Sequence, residues 1–160
     1  MKKIILIGIP GCGKSTLGKQ LAEKLKLSFF DTDLLMIDKA NLDSYADYIR
    51  IALNGQFISI QKEIMVDLSK DESNAVISTG AEVALIPECA AIMKKMGTII
   101  HIQRDPEVIL TDSKIPIHSE GIRLYMKDYS QYEALADLSF NNNGTEAEGL
   151  EKLLELVNTM

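Results

Sequence analysis

The chain has 160 residues, 46% of them hydrophobic, which is enough for one domain with a buried core. A formal net charge of −6 and an isoelectric point near 4.9 argue against nucleic acid as a stable partner, because no basic field is present to hold a phosphate backbone. No run approaches the ~20 apolar residues of a membrane helix. The apolar run after Met1-Lys2-Lys3 is too short for a secretory leader, and Cys12 and Cys89 make neither a metal spacing nor a disulfide framework, so a soluble cytoplasmic protein is expected.

Ile4–Ile7 is a continuous apolar run, rich in β-branched residues, that predicts a strand buried on both faces and ended by Gly8. Lys14–Lys26 carries Leu17, Leu21 and Leu25 four apart, the stripe of a helix. Ser28–Phe30 predicts a second strand, ended by Asp31. Leu34–Leu53 and Gln56–Ser69 predict two helices separated by Asn54-Gly55. Ala75–Ser78 is a third strand, Pro87–Met96 a helix with proline in its first turn, and Gly97–Ile102 a fourth strand. Pro106–Leu110 starts a short helix, Ser113–Ser119 is a loop, and Ile122–Ala136 is helical. Asp137–Phe140 is a last strand and Thr145–Val157 a closing helix, while Asn141–Gly144 between them is the one tract with the composition of a disordered segment. Alternating strands and helices predict an α/β fold with a parallel sheet covered on both sides. Neither repeat nor linker divides the chain, so residues 1–160 form a single domain. Ligands in such sheets sit beyond the carboxyl ends of the strands, which here carry Gly8, Asp31 and Gly80.

Gly8-Ile9-Pro10-Gly11-Cys12-Gly13-Lys14-Ser15 matches G-x-x-x-x-G-K-[ST] between a predicted strand and a predicted helix. Glycines let backbone N–H groups approach phosphate oxygens, and the following helix turns its positive end to the same anion. Lys14 reaches the β- and γ-phosphates of a nucleoside triphosphate, and the Ser15 hydroxyl is placed for Mg²⁺. Thr16 either caps the helix or adds a phosphate contact. Cys12 is either a small filler in the loop or a reactive thiol, since loop and helix N–H groups lower a thiol's pKa. Downstream, Asp31 and Asp33 leave a predicted strand on one side. Such a pair supplies one carboxylate for the metal and one to orient or deprotonate an acceptor hydroxyl. The alternative is structural, with Asp33 a helix N-cap and Asp31 solvated.

These segments together resemble the shikimate kinase family over nearly the whole chain. The resemblance rests on Gly8–Thr16, Phe29-Phe30-Asp31-Thr32-Asp33, Gly55-Gln56 with Glu63, Val76-Ile77-Ser78-Thr79-Gly80, the strand Thr98–Ile102, and a helix carrying Tyr132 and Ala136-Asp137. It implies a three-layer P-loop NTPase fold, a five-stranded parallel sheet flanked by helices. It also implies a substrate-binding helical region at about 34–70 and a short lid at about 112–119. Gly11, Cys12, Gly13, Lys14, Ser15 and Thr16 would hold ATP, with Mg²⁺ on Ser15 and Asp31. Lys14 and Asp33 would be catalytic, and Asp33 and Gly80 would meet a small-molecule hydroxyl acceptor.

The departures from the family pattern fall on the acceptor side. Where the family has an arginine three residues before the matching glutamate, this chain has Ile60. Three consecutive glycines become Gly80-Ala81-Glu82. The lid's Arg-Pro pair becomes Ile115-Pro116, the arginine four residues before Tyr132 becomes Asp128, and the nucleotide arginine before the lid becomes Asp112. Arginines grip carboxylates with paired charge-assisted bonds, so these changes predict an acceptor other than shikimate, either a neutral polyol or an amine-bearing compound. Lys114 and Lys127 are basic candidates to substitute for the lid arginine, each alternatively a solvated lysine. Glu63 and Glu82 are candidates for the acceptor pocket, or for a solvated face. Arg104 either contacts nucleotide or pairs with Asp105 or Glu107, His101 is structural, and His118 is exposed in the lid. Two other readings fit the intact loop: a degenerate kinase that binds nucleotide in a regulatory or interaction role, and a nucleoside or nucleotide kinase. The latter would want lid arginines, and Ser113–Ser119 has none.

Overall fold

A computed structural model describes residues 3–44, 46–47, 50–51, 54–112 and 119–160. β1 (Lys3–Ile7) is buried at every position and lies at the centre of the sheet. It pairs in parallel with β3 (Ala75–Ser78) on one side and β4 (Gly97–Gln103) on the other. β2 (Ser28–Asp31) and β5 (Leu138–Asn141) complete the order β2-β3-β1-β4-β5, with every pairing parallel. The apolar runs predicted from sequence thus form the three inner strands, whose two faces are covered by flanking helices. Among the described residues no helix is long and apolar enough to cross a membrane.

α1 (Lys14–Leu25) buries Leu17, Gly18, Leu21 and Ala22. It packs beside β3 and against the closing helix α8 (Glu146–Asn158). Thr145 and Glu148 form a capping box at the start of α8. α3 (Gln56–Lys70) packs between α2 (Thr32–Lys39) and α4 (Pro87–Met96). Its inward face is Phe57, Gln61, Ile64, Met65 and Leu68.

Two predicted helices are divided. Leu34–Leu53 was expected as one helix, but α2 begins at Thr32 and stops at Lys39. Asn41 takes φ 50°, its N–H bonds Asp38 O at 3.1 Å, and Leu42 N–H bonds Ile37 O at 2.9 Å. That is the Schellman stop, with asparagine in the left-handed position. Residues 45, 48–49 and 52–53 of the expected helix lie outside the described residues. Ile122–Ala136 is two helices, α6 (Ser119–Met126) and α7 (Tyr129–Leu135), with α5 (Pro106–Thr111) before them. The break falls at Lys127-Asp128, where Asp128 takes the N-cap position of α7 and accepts a bond from Gln131 Nε2 at 2.9 Å. The expected lid falls largely on residues 113–118, outside the described residues, as do Lys114, Ile115, Pro116 and His118.

The tract Asn141–Gly144 is ordered. Asn141 ends β5, Asn142 is 6% exposed, and Asn143 exchanges two hydrogen bonds with Asp105. Amide side chains here replace ladder bonds with side-chain bonds to backbone, which composition alone does not distinguish from solvation.

Candidate active site

The loop from Gly8 to Gly13 runs from β1 into α1. Gly8, Gly11 and Gly13 have φ of 147°, 78° and 106°, the region open to glycine. A Cβ on Gly8 would come within 2.6 Å of Ile102 O. No side chain caps α1 at Gly13, so its first-turn N–H groups remain available to an anion. Thr16 therefore does not cap the helix; it is exposed in the first turn. Lys14 is 8% exposed, and its Nζ donates to Gly8 O and Ile9 O, each at 2.9 Å. The ammonium is thereby fixed at the loop. Cys12 is fully buried beside it, with Sγ 3.7 Å from Lys14 Nζ.

The first turn of α1 and two strand ends bring three oxygens together at this corner. Ser15 Oγ donates to Asp31 Oδ2 at 2.6 Å and lies 3.2 Å from Ser78 Oγ. Asp31 is 8% exposed, and its Oδ1 accepts from Asp33 N–H at 2.9 Å. Asp31, not Asp33, is thus the N-cap, and it is buried rather than solvated. The expected strand geometry for the pair is corrected as well: Asp33 lies in the first turn of α2. Asp31 terminates β2 by bonding the N–H groups of the next helix, so the chain turns before a second strand-side carboxylate can form. A hydroxyl and one carboxylate are hard-oxygen donors of the kind Mg²⁺ takes together with phosphate oxygens and waters. Ser15 and Asp31 fit that ion. Ser78 was not singled out from sequence, although it ends β3 immediately before Thr79-Gly80.

Asp33, carried by the helix, instead reaches the end of β3. A Cβ on Gly80 would overlap Asp33 Oδ1 and lie 3.4 Å from Glu82 Oε2. The two carboxylates therefore flank one point at the end of β3. Gly80 N–H donates to Thr32 Oγ1 at 2.8 Å, tying this loop to the start of α2. Tyr125 on α6 donates its hydroxyl to Glu82 Oε1, a contact between distant segments with no local sequence signal. Gly80→Ala should leave the fold intact but displace Asp33. Acceptor turnover is expected to fall about 100-fold, within the range of a misplaced catalytic group, with unchanged nucleotide affinity. Steady-state kinetics beside nucleotide titration checks this.

Glu63 is on the exposed side of α3, with Lys39 3.5 Å away. It belongs to the solvated face. Ile60 packs against the core. Gln61 is fully buried, and neither of its amide atoms has a partner among the described residues. Lys127 is exposed. Arg104 pairs with neither Asp105 nor Glu107: Nη1 donates to Gly11 O at 3.0 Å, and Nη2 lies 3.4 Å from Asp112 Oδ2.

His101 sits under the loop, fully buried, with its ring 5.5 Å from Tyr132 and 5.1 Å from Tyr129. Burial, with the nearby Lys14 charge, pushes its pKa down from 6.5 to about 4. The folded state then refuses a proton that the unfolded chain accepts below 6.5. Its contribution to stability is complete above pH 6.5 and declines as pH falls toward 4, by about 1.4 kcal/mol per unit in that window. His101→Leu should flatten this acid limb, as measured by urea unfolding at pH 7 and pH 5.

An all-parallel sheet and a glycine loop leading from β1 into α1, with a buried lysine at its end, define a P-loop fold. Comparison with known proteins narrows the class. The family model described as shikimate kinase matches residues 10–158. A shikimate kinase of Clostridium beijerinckii is 34% identical, covering 88% of this chain and 86% of the relative. One of Enterococcus faecalis is 30% identical, covering 92% and 93%. Among solved structures, shikimate kinase from Acinetobacter baumannii in complex with shikimate superposes with a TM-score of 0.85 at 22% identity, covering 99% of this chain and 94% of that one. The chain belongs to the shikimate kinase family.

Proposed function

We propose that this chain transfers the γ-phosphoryl group of ATP to a hydroxyl of a small acceptor that does not carry shikimate's carboxylate. Family membership supports the phosphotransfer. The observation that carries the acceptor reading is the placing of Asp33 and Glu82 on either side of Gly80. Gly11–Thr16 hold the triphosphate through loop N–H groups, Lys14 and the α1 terminus. Ser15 and Asp31 hold Mg²⁺, which when bound neutralises phosphate charge. Asp33 orients or deprotonates the acceptor hydroxyl, and Gly80 gives it room. Glu82 occupies ground where a substrate carboxylate would need a cation, and Ile60, Asp128 and Ile115 offer none.

The test is ADP release by purified protein with ATP and Mg²⁺ against shikimate, neutral polyols, amino alcohols and nucleosides. Turnover on a neutral or amine-bearing acceptor supports the reading. Efficient phosphorylation of shikimate overturns the acceptor assignment. Tight ATP binding without turnover on any acceptor overturns the kinase and leaves a nucleotide-binding protein of regulatory role.

A further inference from the structure

We infer that Arg104 and Asn142 are positioning residues that clamp the phosphate loop from its outer side and so set its affinity for a nucleoside triphosphate. The inference rests on the reading that Gly8–Thr16 holds the nucleotide phosphates.

β4 and β5 are neighbouring parallel strands with Gln103 opposite Asn141. Arg104 and Asn142 are the next residue on each, so both emerge at one edge of the sheet. The two strand ends are joined by Asn142 N–H donating to Gln103 O at 2.7 Å. From there Arg104 Nη1 donates to Gly11 O at 3.0 Å, and Asn142 Nδ2 donates to Cys12 O at 2.9 Å. These are consecutive carbonyls of the loop. Among the described residues no peptide bond is cis, and in a planar trans unit the C=O and N–H point in opposite directions. Holding the Gly11 and Cys12 carbonyls outward therefore turns the N–H groups of Cys12 and Gly13 toward the inner side. There the Cys12 N–H donates to Ile9 O at 3.4 Å, a long bond to the same oxygen that receives Lys14 Nζ. Donation to a carbonyl also polarises its peptide, which strengthens the N–H at the other end, and a guanidinium donor does so more than a neutral one.

The clamp is held firmly in place. Asn142 is 6% exposed and so close to Gly13 and Gly149 that a side chain on either would collide with it. The Arg104 side chain is 15% exposed, with Asp112 on its far side. Arg104 Nε and Asn142 Oδ1 are buried without partners among the described residues. Both residues thus bring more polar atoms into the interior than the described residues pair, which packing alone does not call for. Position accounts for both, since each supplies a donor to a loop carbonyl.

The experiment titrates wild type, Arg104→Met, Arg104→Lys and Asn142→Ala with Mg-ADP by calorimetry and records ¹H–¹⁵N shifts of Cys12 and Gly13. Arg104→Met and Asn142→Ala should each weaken Mg-ADP about tenfold, the size expected for losing one buried hydrogen bond. The Cys12 amide should move upfield in the first variant and the Gly13 amide in the second. Arg104→Lys, which keeps charge and one donor, should recover part of the affinity. Binding within twofold of wild type, with both amides unmoved, overturns the clamp. Should Arg104→Met fail to fold, Arg104→Lys and Asn142→Ala decide by the same readouts. Wild type that binds no nucleotide overturns the underlying site reading instead, and the amide shifts still report whether the clamp orders the loop.

Discussion

Replacing Lys14 with methionine is expected to lower acceptor-dependent turnover by about 10³-fold or more, the scale of losing a preorganised charge at a transferring phosphoryl group. The side chain is 8% exposed and is aimed by two carbonyls of its own loop, so no search of rotamers precedes its use. Arg104, which reaches the loop from the end of β4, is engaged with Gly11 O and Asp112 and is not placed to take over. Methionine keeps the aliphatic stem against the loop and removes only the charge and its donors. Thermal unfolding should therefore shift little while kcat collapses, and a stopped-time assay of ADP release with parallel melting curves checks both. A large fall in Tm with retained specific activity of the folded fraction would assign Lys14 to structure.

The second large effect concerns acceptor charge. A carboxylate-bearing acceptor is expected to be phosphorylated on the order of 100-fold less efficiently than its neutral counterpart, because its charge would stand unpaired beside Asp33 and Glu82, a loss of a few kcal/mol. Glu82→Gln should narrow that ratio by about tenfold, as removal of one of two nearby like charges does at intermediate dielectric. The substitution preserves an acceptor for the Tyr125 hydroxyl, so the arm from α6 stays in place. The measurement is kcat/KM for a matched acceptor pair with both enzymes. An unchanged ratio would show that Glu82 does not face the acceptor.

The glycine loop's backbone was legible in the sequence, while the arrangement around Asp31, Asp33 and Gly80 was legible only in part, for a physical reason. Gly8–Ser15 is a local device: its glycines, lysine and serine act within one turn between a strand and a helix, and the pattern carries all of them. The inner strands Ile4–Ile7, Ala75–Ser78 and Gly97–Ile102 were likewise local apolar runs. Asp31 and Asp33 were found as residues but not in their geometry, because whether a strand continues past an aspartate depends on the cap that the aspartate makes. Asn41 held a helix stop in plain view that the apolar period on either side obscured. Asn142, Arg104, Ser78 and Tyr125 acquire their roles from partners 130, 93, 63 and 43 residues away. No window on the sequence reports such pairs. Glu63 shows the reverse case: a plausible spacing on α3 that helix phase turns outward to Lys39.

The central claim is transfer of phosphate to an acceptor hydroxyl, and ³¹P NMR of the protein with Mg-ATP and the acceptor panel observes that transfer itself. The account predicts a new phosphomonoester resonance growing as the γ-phosphate of ATP declines, with a neutral or amine-bearing alcohol and not with shikimate, and none of it with Lys14→Met. Persistence of ATP with every acceptor, or its conversion to inorganic phosphate alone, would contradict it.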